Sequence, residues 1–225
     1  MKKVILVIAI ITLTATFTLA QTVNNETVSK VNNVGNPKSN LPTSDIKMRS
    51  EYGSENPDLL SVLRFEDIGL SKMIFTGKDL VGKDFQITIK QFTNGKLAKQ
   101  EVVFDSKEDE YFKIKGDKFM FKVLTKITAN HTAKFDFQFN GFSKGSEYKV
   151  GKNFAGFAQK DFLGSVKETA IPINSNTYIL TYMMPYAKKD GSKQYCEVAQ
   201  SGANPEEFGT KYNIPTYFLI DIKFQ

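Results

Sequence analysis

Apolar and polar residues alternate with period two from Arg64 onward. Phe85, Ile87 and Ile89 interleave with Gln86, Thr88 and Lys90. Asn94-Gly95 follows, a strong hairpin signal, because both central residues of a type I′ turn need positive φ. A return strand runs to Val102, Val103 and Phe104. Phe119, Phe121 and Val123 alternate next, with Ile127 in phase, and Phe135, Phe137 and Phe139 interleave with Asp136, Gln138 and Asn140. Phe218, Ile220, Ile222 and Phe224 share one face, opposite Leu219, Asp221 and Lys223. This pattern predicts strands with one buried face and one wet face.

Helix signals are sparse. Asn56-Pro57 reads as a cap followed by a first-turn proline, with Leu59, Leu60 and Leu63 facing inward. Phe154, Phe157 and Phe162 predict a short helix between Asn153 and Leu163. Asn204-Pro205-Glu206-Glu207 reads as a capping-box start that Gly209 ends quickly. No repeat of fixed period is present. About seven to nine strands separated by turn residues predict an all-β fold. The expected form is an antiparallel β-sandwich, Ig-like or jelly-roll-like, with one or two short helices.

The first residues break the pattern. Lys2 and Lys3 precede an uncharged run from Val4 to Ala20, and Thr18-Leu19-Ala20 places small residues where a signal peptidase cuts. Residues 1–20 are therefore expected to be a cleaved signal peptide, which places the protein in the periplasm or outside the cell. At ~1.5 Å per residue the run falls short of a ~30 Å hydrocarbon core, so no stable membrane span is expected after cleavage. No cysteine stands at the cut, which excludes the lipoprotein route. Residues 21–55 are rich in Asn, Ser and Thr, with Pro37 and Pro42, and hold too little apolar surface to offset the entropy of ordering. They read as a disordered spacer, and 56–225 as the folded domain.

The 225-residue chain carries a formal charge of +6. The lysines alternate with acids, as in Lys107-Glu108-Asp109-Glu110, and no run of five basic residues occurs. That spread argues against nucleic-acid binding and leaves a weak attraction to an anionic surface or polysaccharide. Cys196 is the single cysteine, so no intramolecular disulfide can form, and His131 is the single histidine. Tryptophan is absent.

Two stretches imitate catalytic motifs. Gly77 to Lys83 has P-loop spacing, but Asp84 stands where a Ser or Thr hydroxyl would hold Mg²⁺, and a strand pattern follows instead of a helix. Gly141-Phe142-Ser143-Lys144-Gly145 matches the nucleophile elbow, yet Glu147 to Val150 reads as a return strand and His131 precedes the serine. His131 reads as an exposed loop residue. Asp105, Glu108, Asp109 and Glu110 lack EF-hand spacing and read as a solvated turn. No cofactor and no metal are expected. Tyr178, Tyr182 and Tyr186, around Met183-Met184-Pro185, are the candidate ligand residues. Tyr178 and Tyr182 share strand parity and are expected on one face, able to stack on a sugar or pack on a partner.

This layout resembles small exported bacterial proteins with a signal peptide, an Asn/Ser-rich spacer and one β-sandwich, whose function is unknown. The resemblance covers the chain as a layout and transfers no site residues. The leading expectation is a non-catalytic binding or adhesion module of the cell envelope, with a protein or polysaccharide partner. Its rivals are an eight-stranded outer-membrane barrel, suggested by penultimate Phe224 and the alternating last strand, and a hydrolase using paired carboxylates in a sandwich cleft.

Overall fold

The computed structural model describes residues 44–151, 156–188 and 190–225. The strands are β1 (Lys47–Tyr52), β2 (Gly69–Thr76), β3 (Phe85–Thr93), β4 (Lys96–Asp105), β5 (Lys118–Ile127), β6 (Thr132–Gln138) and β7 (Ser143–Lys149). They continue with β8 (Ala158–Asp161), β9 (Thr169–Ala170), β10 (Thr177–Met183), β11 (Tyr186–Ala187), β12 (Lys193–Gln194) and β13 (Thr216–Phe224). Short helices are α1 (Pro57–Phe65), α2 (Cys196–Ala199) and α3 (Phe208–Lys211).

Two antiparallel sheets pack face to face, which is the expected all-β sandwich. One has six strands in the order β7-β6-β5-β2-β1-β9, the other five in the order β4-β3-β13-β10-β8. The Asn94-Gly95 turn joins β3 to β4 with φ of 50° and 75°, as a type I′ hairpin requires. Between the sheets lies a phenylalanine-rich core. Phe121, Phe135 and Phe137 come from the six-stranded sheet, Phe85, Phe218 and Phe224 from the other, and all are essentially inaccessible. Phe135 meets the Phe218 ring edge-on at 5.1 Å, and Phe75 meets Phe224 at 5.2 Å. Phe224 thus points into the core and not toward lipid. Among the described residues the strands form these two open sheets and a two-stranded β11-β12 hairpin, so the eight-stranded barrel is not the architecture.

Three local expectations change. The spacer assignment reached residue 55, but Lys47–Tyr52 forms β1 and pairs with β2 from Lys47↔Thr76 to Tyr52↔Ser71. Ile46 and Met48 are buried there, and this alternation outweighs the polar composition around them. The signal peptide and residues 21–43 lie outside the described residues. The helix expected over 153–163 is replaced at 158–161 by β8, because β10 offers it a ladder and Gln159 turns inward to bond Ser71 and the Val123 carbonyl. Residues 152–155 lie outside the description. Helix α1 forms as expected, with Asn56 Oδ1 accepting from the N–H groups of Asp58 and Leu59. Only Leu63 is buried; Leu59 faces water, as do Val62 and Phe65, the last 85% exposed.

The largest departure concerns the second face of β13. Leu219, Asp221 and Lys223 were expected on the wet face, yet Leu219 and Asp221 are at 0% exposure, as is Tyr217 in the same phase, and Lys223 is half-buried. The segment from Met184 to Pro215 covers them. Val198, Phe208 and Ile214 from this segment pack with Phe92, Met183, Tyr217 and Leu219 in a second apolar cluster. Phe92 and Tyr217 stack at 4.8 Å. Gly209 is the point of closest approach: a Cβ there would stand 2.6 Å from the Cα of Gly95, so α3 rests on the hairpin turn only because both residues lack side chains.

Candidate functional site

The three candidate tyrosines do not share a face. Strand β10 pairs with β13 as Tyr178↔Asp221 and then Leu180↔Ile220, so one residue is added to β10 between these pairs. This bulge reverses the parity that links Tyr178 to Tyr182. Tyr182 points into the main core, edge-on to Phe135 at 5.7 Å and 5.0 Å from Phe157. Tyr178 and Tyr186 belong to the second cluster, Tyr178 under the covering segment and Tyr186 as part of that segment.

Tyr178 sits in a polar knot that sequence inspection did not assemble. Lys90, on β3, donates to the Tyr178 hydroxyl and to Glu206 Oε1, each at 2.7 Å, and its ammonium lies 5.1 Å from the Tyr178 ring centre. Tyr178 in turn donates to Glu206. Glu206 comes from the 3₁₀ turn Pro205–Glu207, capped by Asn204, and its carbonyl accepts from the Tyr217 hydroxyl at 2.7 Å. Partial burial pushes the Glu206 carboxyl upward, but donation from Lys90 and Tyr178 outweighs it and holds the group below its ordinary value. Next to this knot, Asp221 accepts from Asn176 at 2.7 Å, while its Oδ2 has no hydrogen-bond partner among the described residues. Burial raises the Asp221 carboxyl, Glu206 adds to the rise, and Asn176 and Lys90 oppose it. Two carboxylates displaced in opposite directions are the chemistry a carboxylate hydrolase needs. Asp221, however, is at 0% exposure beneath the covering segment, so substrate does not reach it. The knot fastens residues 204–217 to the sheet.

Tyr186 lines an open hollow of about 620 Å³ with Lys188, Asp190, Lys211, Tyr212 and Asn213. Its ring lies 5.8 Å from that of Tyr212. Tyr186 is only 8% exposed, so it backs Tyr212, which is the more accessible ring. Lys211 stands 5.6 Å from the Tyr212 ring centre. The hollow thus combines an aromatic wall with two ammonium groups and one carboxylate. Tyr212 and Lys211 escaped sequence inspection because they lie on α3 and its cap, 26 and 25 residues beyond Tyr186.

A second hollow of about 350 Å³ is lined by Arg49, Ser50, Tyr52, Asp161 and Lys167 among others. Ser50 donates to the Asp161 carboxylate, and the Tyr52 hydroxyl accepts from the Asp161 N–H. Desolvation of its hydroxyl end and the adjacent Asp161 charge push the Tyr52 phenol upward, although the side chain as a whole is half exposed. Among the described residues no group of three His, Cys, Asp or Glu side chains is placed to hold a metal.

The imitation motifs take structural roles. In the P-loop-like turn, the N–H groups of Lys78 and Asp79 donate to the Asp45 carboxylate at 2.9 Å each. The chain's own acid thus fills the position a phosphate would need, and those bonds hold Asp45 below its ordinary value. Ser143 opens strand β7, with no helix behind it. His131 takes a φ of 58° in the β5–β6 turn, where its N–H donates to Thr128 O at 3.0 Å. Asp105 and Asp109 each cap a 3₁₀ turn. The Cys196 side chain lies outside the description. No family model, curated protein or solved structure matches this chain.

Proposed function

We propose that the protein is an exported, non-catalytic binding module of the cell envelope, and that the Tyr186–Tyr212 hollow holds a saccharide unit of its partner. The aromatic wall with Lys188, Asp190, Lys211 and Asn213 around it carries this reading. A tyrosine offers apolar area for the C–H face of a sugar, and the surrounding charged and amide groups offer hydrogen bonds to its hydroxyls. The N-terminal pattern of Lys2, Lys3 and the Val4–Ala20 run supports export. The test is a titration of envelope oligosaccharides followed by NMR. Shifts at residues 186–188 and 211–213 are expected, with Tyr212→Ala weakening binding about tenfold, the loss of one stacking contact of ~1–1.5 kcal/mol. Shifts elsewhere, or an unchanged affinity in Tyr212→Ala, would overturn the assignment.

A further inference from the structure

The lysines that look dispersed along the sequence converge on the outer face of the six-stranded sheet. Register sets Lys72 of β2 directly opposite Lys122 of β5, and Lys126 of β5 directly opposite Lys134 of β6. Phe121, Val123 and Phe135 alternate with them into the core, so these four side chains share the outer face. Lys118 and Lys149 extend the same face at its two ends, and two acids share it, Glu147 set opposite Lys134 and Asp136 two residues along β6. Lys72 pairs with Glu51 and Lys126 with Glu66. Among the described residues Lys122, Lys134, Lys118 and Lys149 form no ion pair, and all four are exposed.

Like charges directly opposite on neighbouring strands repel and destabilise a sheet. This sheet carries two such pairs, with Lys122 and Lys126 ~13 Å apart along one strand. Glu51 and Glu66 already offset one lysine of each pair, and an anionic ligand laid across them would neutralise the others, Lys122 and Lys134. Neither described hollow is lined by these lysines. A surface without a pocket suits an extended chain more than a small molecule. An anionic bilayer suits it less: Met120 protrudes within the face, but the most exposed apolar side chain beside it, Phe65, is followed directly by Glu66 and Asp67, which such a bilayer repels.

We infer that this lysine face binds a linear acidic polysaccharide by its carboxylates. The face belongs to the other sheet from the tyrosine hollow and stands without it.

The experiment titrates polygalacturonate into the full chain by calorimetry at low and high salt. Binding that weakens with salt is expected, since exposed charges are screened within ~10 Å at 0.1 M. The double variant Lys122→Gln, Lys134→Gln should bind about tenfold more weakly, while its urea midpoint stays close to the parent's, because both side chains are exposed and form no ion pair among the described residues. Tyr212→Ala should keep the parent affinity for polygalacturonate. A double lysine variant that binds like the parent overturns the inference. So does a loss confined to Tyr212→Ala, which would move the polyanion to the hollow. Tighter binding to phosphatidylglycerol vesicles or duplex DNA than to polygalacturonate would assign the face to a different partner and overturn it as well.

Discussion

On the six-stranded sheet, Met120 and Lys122 stand between half-buried Phe119 and buried Phe121 and Val123, and both face water. On the five-stranded sheet, Leu219 and Asp221 stand between Phe218, Ile220 and Ile222, and both are at 0% exposure. The local pattern is the same in the two strands. What differs is the segment that folds across one outer face and leaves the other open. Period two therefore reports which side chains travel together, and the covering segment decides which side is wet. The open face collects lysines. The covered face must satisfy Asp221, and does so only in part, through Asn176 at 2.7 Å.

The comparison can be broken most severely between the sheets. Phe137 is fully buried and faces Phe121 at 6.3 Å. Phe137→Ala should cost ~3–5 kcal/mol, through lost transfer energy and the cavity left behind. Urea melts would show it as a large fall in midpoint, whereas Ser143→Ala, on an exposed strand position, should melt within about 0.5 kcal/mol of the parent. Equal midpoints for the two variants would mean that the strand phase is misassigned.

Lifting the cover should cost less. Gly209→Ala places a methyl against the Gly95 backbone, which cannot swing aside as a side-chain end can. A loss of ~1–3 kcal/mol is expected, typical of overpacking. Amide exchange should quicken in residues 204–214 and not in β5 or β6. A uniform increase across both sheets would show that cover and sandwich unfold as one.

The buried carboxylate gives a pH signature on the covered side. Asp221 has a folded value above the ordinary ~4 of an unfolded carboxylate. Between those two values the folded state holds the extra proton, so stability falls as pH rises through that window and the penalty persists above it. Glu206 has the opposite sign: its contribution is present above the unfolded value and is lost as pH falls through the lowered folded one. Asp221→Asn should remove the fall with rising pH. Urea midpoints at a series of pH values, parent against variant, measure it; parallel curves would mean that the carboxylate is not buried as described.

The smallest effect is expected on the open face. Lys134→Gln removes both the repulsion with Lys126 and the attraction of Glu147, set opposite it on β7, and should shift stability by no more than about 0.5 kcal/mol. A loss larger than that in a urea melt would mean that the lysine supports the sheet by packing.

Much of the fold was legible because strands, hairpin and α1 rest on local rules. Phe85 to Ile89, Asn94-Gly95, Phe135 to Phe139 and the Asn56-Pro57 cap each need only neighbouring residues to be read. The site was less legible. Tyr178 and Tyr182 keep the right spacing for a common face, and one added residue in β10 separates them. A bulge of that kind is set by pairing with β13 and leaves no mark in spacing.

By itself, then, the amino-acid sequence determined the all-β class, the phases of most strands, the turn at Asn94-Gly95 and the failure of both catalytic imitations. These follow from backbone sterics and from side-chain order over a few residues. Only the tertiary structure decided that Lys47–Tyr52 extends the sheet and that residues 184–215 bury Asp221. It also decided that Tyr186 meets Tyr212, and that Lys72, Lys122, Lys126 and Lys134 face one another. Each of those facts joins residues far apart in the chain through strand register and burial, and neither quantity is a property of a local segment.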